Sequence, residues 1–506
     1  MLARALALAC LTIVGALPAW WLDGWTGTEG RRVQIALEML RAGEWMVPTL
    51  GGEPTWAKPP LHYWLLRPML DWFGVVPWAA RLPSVLLTAV TAVTAMELLR
   101  RWFGRGAGWI GGLGIALSPL VLFEWPTAEI DPVFACFTAM SLWMLATGVG
   151  RQSRGLVVAS GVLAGLALLS KGPPFFLFAV GAYLVWWRRR GLRFALAHFA
   201  PMLAVVAAYF APLWLFHVPP SSMLAVASDE SVGRLAYLDW DHVVSIPSYW
   251  LRAVAVQAPF VFWCFWEWRG ARDARMDDGD LTLRMCSGAA VVAVVLLTFF
   301  PGRPTRYLLP NVLLFTFAVT PAVAHYARLP IPVGPVARRC VRGVGIAAAV
   351  AMLVLPFVPA VGVGAVALAA ATALAAAFVA RPWHVVALCL AVPLVAAWTV
   401  GLERAWSRPD NRRAQEPAAV VLRRELDALG ATPGLGMHGH VEGPLLLAAD
   451  LLPRGDESGR TVPTAAWVIA EVPPGNEPVP GPYRARLRLC LPTKTFVVAE
   501  RVDAPR

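Results

Sequence analysis

The chain has 506 residues, 58% of them hydrophobic and 15% charged, with a formal net charge of +12. A soluble domain carries about 25% charged residues, so a soluble globular chain is excluded. The positive charge has no basic folded module to hold nucleic acid, because the arginines gather in short links between apolar runs.

Apolar runs recur from Leu2 to Val400, each near the roughly 20 residues that cross a bilayer. The first, Leu2 to Trp21, begins with Arg4 and carries Gly15, Ala16 and Ala19. It reads either as a signal peptide or as an uncleaved first span, and the many runs that follow favour the span. Arg4 then places the N-terminus in the cytoplasm.

A non-spanning stretch follows, from Thr28 to Trp64. Val33, Ala36, Leu37 and Leu40 fall on one side of a helix, with Arg31, Gln34, Glu38 and Arg41 opposite. That spacing predicts a helix lying in the membrane interface, capped by Thr28 and ended at Gly43. Gly51-Gly52 turns the chain back, Lys58 precedes Pro59-Pro60, and a second interfacial helix rich in aromatics begins with Pro60 near its first turn.

The second span runs from about Pro83 to Leu99 and exits at Arg100, Arg101 and Arg105. The third ends outward at Phe123, beside Glu124 and Glu129, and Asp131-Pro132 opens the fourth. A carboxylate at the mouth of a span is costly unless paired, so Asp131 is a functional candidate; it could also simply cap that helix. The fifth span ends outward at Lys171-Gly172-Pro173, and the sixth ends inside at Arg188, Arg189 and Arg190. The seventh, Leu196 to Phe216, emerges into a polar stretch, His217 to Ser248, that holds Glu230 and Arg234. The eighth spans about Tyr249 to Trp266, and the ninth ends outward before Arg303, Arg306 and Tyr307. Runs from Gly345 to Val400 bring the total to about thirteen spans, with every arginine-rich link inside.

Lysine occurs only as Lys58, Lys171 and Lys494. The first two each stand where an apolar run meets a Pro-containing turn. A compact ammonium with rotatable donors suits a phosphate approached from several sides; snorkelling to the headgroups is the plainer alternative. The seven cysteines form no CxxC and no even extramembrane set, so they indicate neither zinc nor a disulfide framework. From Glu403 the composition becomes polar and Pro/Gly-rich. A helix from Glu416 to Leu429 and strand-prone pieces at Ala466–Ile469 and Thr495–Val498 predict a small α/β domain over 403–506. His438 and His440 lack a third ligand, which makes a weak metal motif.

The first external loop, 22–79, resembles that of membrane glycosyltransferases that use lipid-linked sugars. These include the bacterial lipid A aminoarabinose transferases and the protein O-mannosyltransferases. The resemblance rests on Thr28-Glu29-Gly30-Arg31-Arg32, Glu38-Met39-Leu40, Gly43-Glu44-Trp45, Pro48 and Lys58-Pro59-Pro60. It continues at Asp131, at Lys171-Gly172, loosely at Glu230 and Arg234, and at Arg306-Tyr307. It departs where the family has Asp at position 28, Tyr at 32 and Glu at 57; here these are Thr28, Arg32 and Ala57.

The resemblance implies a polytopic α-helical membrane protein of GT-C type, with residues 1–402 as its membrane part. It implies inverting transfer of a sugar from a polyprenyl-phosphate donor to an extracytoplasmic lipid, glycan or protein, at a bacterial inner membrane. The expected donor-phosphate residues are Lys58, Lys171, Arg31, Arg234, Arg306 and Tyr307. Asp131 and Glu29 are the catalytic candidates, although Glu29 could merely favour the helix dipole. Thr28, Glu129 and Glu230 would line the acceptor or sugar pocket. No cofactor or metal is indicated. A transporter of lipid-linked sugars and a non-catalytic binding protein remain as alternatives, the latter because Thr28 cannot accept a proton at neutral pH.

Overall fold

The computed structural model describes residues 2–20, 25, 28–124, 126–190, 194–217, 240–257, 278–300, 304–328, 415–430, 435–438, 454–456, 467–472, 483–490 and 495–502. Helix α1 (Leu2–Trp20) packs on α4 (Pro77–Phe103), and α5 (Arg105–Ala116) with α6 (Pro119–Glu124) leads to α7 (Ile130–Gly150). Then come α8 (Arg154–Lys171), α9 (Phe175–Arg190), α10 (Ala195–Phe216), α11 (Trp240–Ala255), α12 (Asp278–Leu297) and, after a short 3-10 turn (Thr305–Leu308), α13 (Leu309–Arg328). Among the described residues four helices are long and apolar enough to cross a membrane: α4, α7, α8 and Ala195–Leu215 within α10. The expected spans beyond Gly345 lie outside the described residues.

Two expectations are corrected. The third apolar run is broken into α5 and α6 at Leu117-Ser118, because Pro119 has no N–H to offer the preceding turn and pushes Ser118 away from helical geometry. The eighth helix begins at Trp240 rather than near Tyr249, drawing in residues expected to be loop.

Helix α7 is buried along nearly its whole length and forms the axis of the bundle. Lipid offers no hydrophobic drive between helices, so close packing and interhelical hydrogen bonds hold them. A Cβ on Gly161 would stand 2.1 Å from the His198 carbonyl oxygen, and one on Gly165 2.6 Å from Val205 Cβ, so this GxxxG pair lets α8 touch α10. Ser141 Oγ donates to the Ser160 carbonyl at 2.8 Å, tying α7 to α8. Trp143 stacks on Phe317 with centroids 4.9 Å apart, tying α7 to α13; such a pair contributes about 1 kcal/mol beyond its burial. These contacts fix the ends of α7 and α8 relative to one another.

The first loop forms its own small core. Helix α2 (Glu29–Arg41) buries Val33, Ile35, Ala36, Leu37 and Met39 against Tyr63, Leu66 and Leu70 of α3 (Leu61–Phe73). At roughly 1.5–3 kcal/mol per buried side chain, this packing outweighs any tendency of α2 to lie free in the interface. The polar side predicted to face outward is only partly exposed, with Arg41 exposed and Arg31 half-buried. Gln34 and Glu38 are buried, and Glu38 accepts the Gly51 and Gly52 amides at 2.9 and 3.1 Å, with Gln34 Nε2 at 3.1 Å. Those glycines, with φ of 65° and 81°, make the two-residue turn between β1 (Thr49–Leu50) and β2 (Glu53–Pro54), the hairpin geometry that requires positive φ at both positions.

The C-terminal residues give helix α14 (Gln415–Ala428) and a five-stranded mixed sheet of order β4-β3-β5-β7-β6. Its strands are β3 (Leu435–His438), β4 (Arg454–Asp456), β5 (Trp467–Val472), β6 (Tyr483–Cys490) and β7 (Thr495–Arg501). β3 runs parallel to β4 and β5, while β7 is antiparallel to β5 and β6. Strand β4 lies against β2 of the first-loop hairpin.

Candidate functional site

Four chain segments converge at one end of the bundle: the start of α2, the start of α7, the end of α8 and the 3-10 turn before α13. Lys171 is the last residue of α8, which Gly172 terminates at φ +80°. Its ammonium donates to Asp131 Oδ1, in the first turn of α7, and stands 3.9 Å from the centre of the Tyr307 ring. Arg306 Nε lies 3.4 Å from Asp131 Oδ2, and Nη1 lies 3.8 Å from Glu129 Oε1. These are ion pairs at a distance: the buried Arg306 Nε–H has no hydrogen-bond partner among the described residues. A Cβ on Gly172 would meet Pro59 Cγ at 3.9 Å, so the Lys58-Pro59 turn abuts the Lys171-Gly172 turn. Lys58 and Arg31 are half-buried.

The structure therefore brings together Asp131, Lys171, Arg306, Tyr307 and Glu129, and sets the Lys58 turn beside them. Arg234 and Glu230 lie outside the described residues. Among the described residues no group of three His, Cys, Asp or Glu side chains is placed to hold a metal ion.

Glu29 sits differently from its expected place as an available carboxylate. Arg81 Nε and Nη2 reach its two oxygens at 2.9 and 2.8 Å, the Ala128 amide donates at 2.7 Å, and neither side chain is reached by solvent. His62, also fully buried, has Nε2 2.9 Å from the Ala128 carbonyl. Desolvation by burial, opposed by its bond to Ala128, brings the imidazole down to about 4, so the ring is neutral and Nε2–H is the donor. Ala128 is thus gripped at both backbone groups, and this fixes the residue that follows it, Glu129.

Thr28 is corrected in its role. It occupies the cap position of α2, but its hydroxyl makes no cap hydrogen bond. Its N–H donates to Glu129 Oε1 at 2.7 Å and its hydroxyl to Oε2 at 2.6 Å. The hydroxyl is turned to donate to the charged partner 101 residues away, and in that orientation it does not reach the orphan amides of the helix start.

Three residues of this cluster escape the sequence reading. Arg32 reaches the Tyr63 hydroxyl at 3.4 Å, while its Nε–H has no hydrogen-bond partner among the described residues. Burial alone would lower its pKa, but Tyr63, Glu129 and Asp131 together hold it above the usual value. Arg81 was visible as a lone arginine at the start of an apolar helix, a position that demands a partner. His62 carried no signal beyond its place in an aromatic helix. Around the Glu129 and Asp131 carboxylates stand Arg32, Lys171 and Arg306, so cations outnumber acids even before Lys58 and Arg31 are added. Such an arrangement attracts an anion, and the buried Nε–H groups of Arg32 and Arg306 lack hydrogen-bond partners among the described residues.

Residues 57–216 match the family model described as dolichyl-phosphate-mannose-protein mannosyltransferase. The undecaprenyl phosphate-alpha-4-amino-4-deoxy-L-arabinose arabinosyl transferase of Pseudomonas savastanoi pv. phaseolicola is 27% identical over 212 residues, covering 40% of this chain and 39% of that protein. A second transferase of the same description, from Pseudomonas fluorescens, is 29% identical over 175 residues, 33% of this chain and 30% of its own length. The chain thus matches less than half the length of these curated relatives. The crystal structure of ArnT from Cupriavidus metallidurans bound to undecaprenyl phosphate superposes with a TM-score of 0.74 at 18% identity, covering 100% of this chain and 99% of that one. The chain has the fold of the GT-C membrane glycosyltransferases.

Proposed function

We propose that this protein transfers a sugar from a polyprenyl-phosphate donor to an acceptor hydroxyl or similar nucleophile at the extracytoplasmic face of a bacterial inner membrane. The observation that carries the reading is the convergence of Lys171, Arg306 and Tyr307 on Asp131, with the Lys58 turn packed beside Gly172. As the sugar's C1–O bond to phosphate breaks, negative charge grows on the departing phosphate. Lys171, Arg306, Lys58 and Arg31 stabilise that charge in a site shielded from bulk water. The acceptor attacks C1 from the opposite face, which inverts the anomeric centre. Asp131 holds Lys171 and Arg306 in place, and Glu29 acts with Arg81 to position the Ala128-Glu129 segment.

The relatives' names point to a lipid-phosphate donor, and the C. metallidurans protein binds undecaprenyl phosphate at the same fold. The orientation draws support from the opposite end of the bundle, where Arg151 stacks over the Trp102 ring at 3.8 Å beside Arg101 and Arg100. A basic end of this kind belongs in the cytoplasm, which leaves the site, and the C-terminal sheet that meets the first-loop hairpin, outside.

The test is turnover by the purified protein with radiolabelled polyprenyl-phosphate sugars and membrane extract as acceptor. Acceptor-dependent release of free polyprenyl phosphate, lost in Asp131→Asn, is the expected result. Donor binding without release across the donor panel would assign the chain instead as a lipid-linked-sugar binding protein.

A further inference from the structure

We infer that Glu129 is the general base of the transfer, held in position by Thr28. The inference deepens the glycosyltransferase reading and rests on it. Three carboxylates of the site compete for the role, and their partners decide between them. Glu29 is fully buried and neutralised by the two-pronged contact with Arg81, with the Ala128 amide on one oxygen as well. Asp131 is paired with Lys171 on one oxygen and faces Arg306 on the other. A carboxylate in direct contact with a cation is a poor proton acceptor, because protonation would strand the cation.

Glu129 takes its hydrogen bonds from neutral donors, and its cations stand farther off. Both of its hydrogen-bond partners among the described residues, the amide and hydroxyl of Thr28, belong to an uncharged residue, while Arg306 Nη1 stands off at 3.8 Å and Arg32 acts on it through the field alone. A carboxylate has about four acceptor positions, of which Thr28 takes two, so others remain for an incoming hydroxyl. The backbone that carries it is immobilised by Glu29 and His62 through Ala128. That combination provides a fixed, buried acceptor beside the Arg306 cation that meets the phosphate.

In the step itself the acceptor oxygen forms its bond to C1 as the C1–phosphate oxygen bond breaks. The acceptor's proton passes to Glu129, and the electron pair of the broken bond leaves on polyprenyl phosphate. Thr28 is a positioning residue: its two donors fix the carboxylate's orientation without neutralising it.

The experiment compares single-turnover rates and undecaprenyl phosphate affinity for wild type, Glu129→Gln, Thr28→Val and the double variant Thr28→Asp/Glu129→Gln, with each thermal midpoint recorded. Glu129→Gln should slow turnover by about 10²–10⁴-fold, the range of general-base catalysis, while binding undecaprenyl phosphate as tightly as wild type and keeping its midpoint. Thr28→Val should slow turnover less. Thr28→Asp/Glu129→Gln should recover part of the lost rate, because it returns a carboxylate across the hydrogen bond between the two positions. An active wild type whose rate survives Glu129→Gln would overturn the inference and leave the transferase reading standing. A wild type that binds the donor and never turns over would overturn both.

Discussion

Glu29 and Arg81 stand 52 residues apart in sequence and meet through two hydrogen bonds of 2.9 and 2.8 Å, with both side chains buried. The pair joins the start of α2 to the second turn of α4, and the Ala128 amide on Glu29 adds the segment leading into α7. A buried ion pair contributes little relative to apolar residues of the same size, but removing one member leaves the other unpaired at a cost of about 3–5 kcal/mol. Arg81→Met should therefore lower the thermal midpoint sharply in detergent, and Glu29→Gln/Arg81→Met should recover much of the loss. An Arg81→Met protein as stable as wild type would show that this pair does not hold the loop.

Glu38 makes a parallel prediction at the other end of α2. Its carboxylate caps the Gly51 and Gly52 amides of the first-loop turn. Glu38→Ala leaves buried donors unsatisfied, a cost of roughly 1–3 kcal/mol. Hydrogen exchange at Gly51 and Gly52 should accelerate, with the spanning helices unaffected. Unchanged protection at those two amides would contradict the assignment.

His62 gives the fold a pH dependence whose sign follows from its burial. Its folded pKa of about 4 lies below the ordinary 6.5, so between those values the unfolded chain binds a proton that the folded chain excludes. Its contribution is complete above pH 6.5 and is lost as the pH falls toward 4, amounting to about 3 kcal/mol. His62→Gln keeps a donor for the Ala128 carbonyl without a titrating group. The gap in stability between wild type and His62→Gln should therefore move against wild type as the pH drops from 6.5 to 4. A constant gap would remove His62 as the source.

Residues that announce themselves locally were legible in the sequence. Lys171-Gly172 and Asp131-Pro132 each mark a helix end by their own chemistry, and the structure joins them directly. The two strand-prone tail segments overlap β5 and β7, which pair with each other. What stayed hidden depends on partners far away in sequence. Glu29 looked available because Arg81 is 52 residues distant, and Thr28 looked like a cap because Glu129 is 101 residues distant. The polar face of α2 looked solvated because the groups that satisfy Glu38 are backbone amides, which no side-chain pattern reveals. The break at Pro119 was readable from proline alone, but the continuous apolar composition on both sides masked it.

The central claim is that the cations at this end of the bundle hold a lipid phosphate, and Lys171 tests it most directly. We would measure the affinity of undecaprenyl phosphate for wild type, Lys171→Met and, as a control at the opposite basic end, Arg151→Met, all reconstituted in nanodiscs. A hydrogen bond to a charged group contributes about 1.5–3 kcal/mol, so Lys171→Met should bind roughly 10–100-fold more weakly, with Arg151→Met unchanged. Equal affinity for Lys171→Met and wild type, or a loss confined to Arg151→Met, would contradict the account.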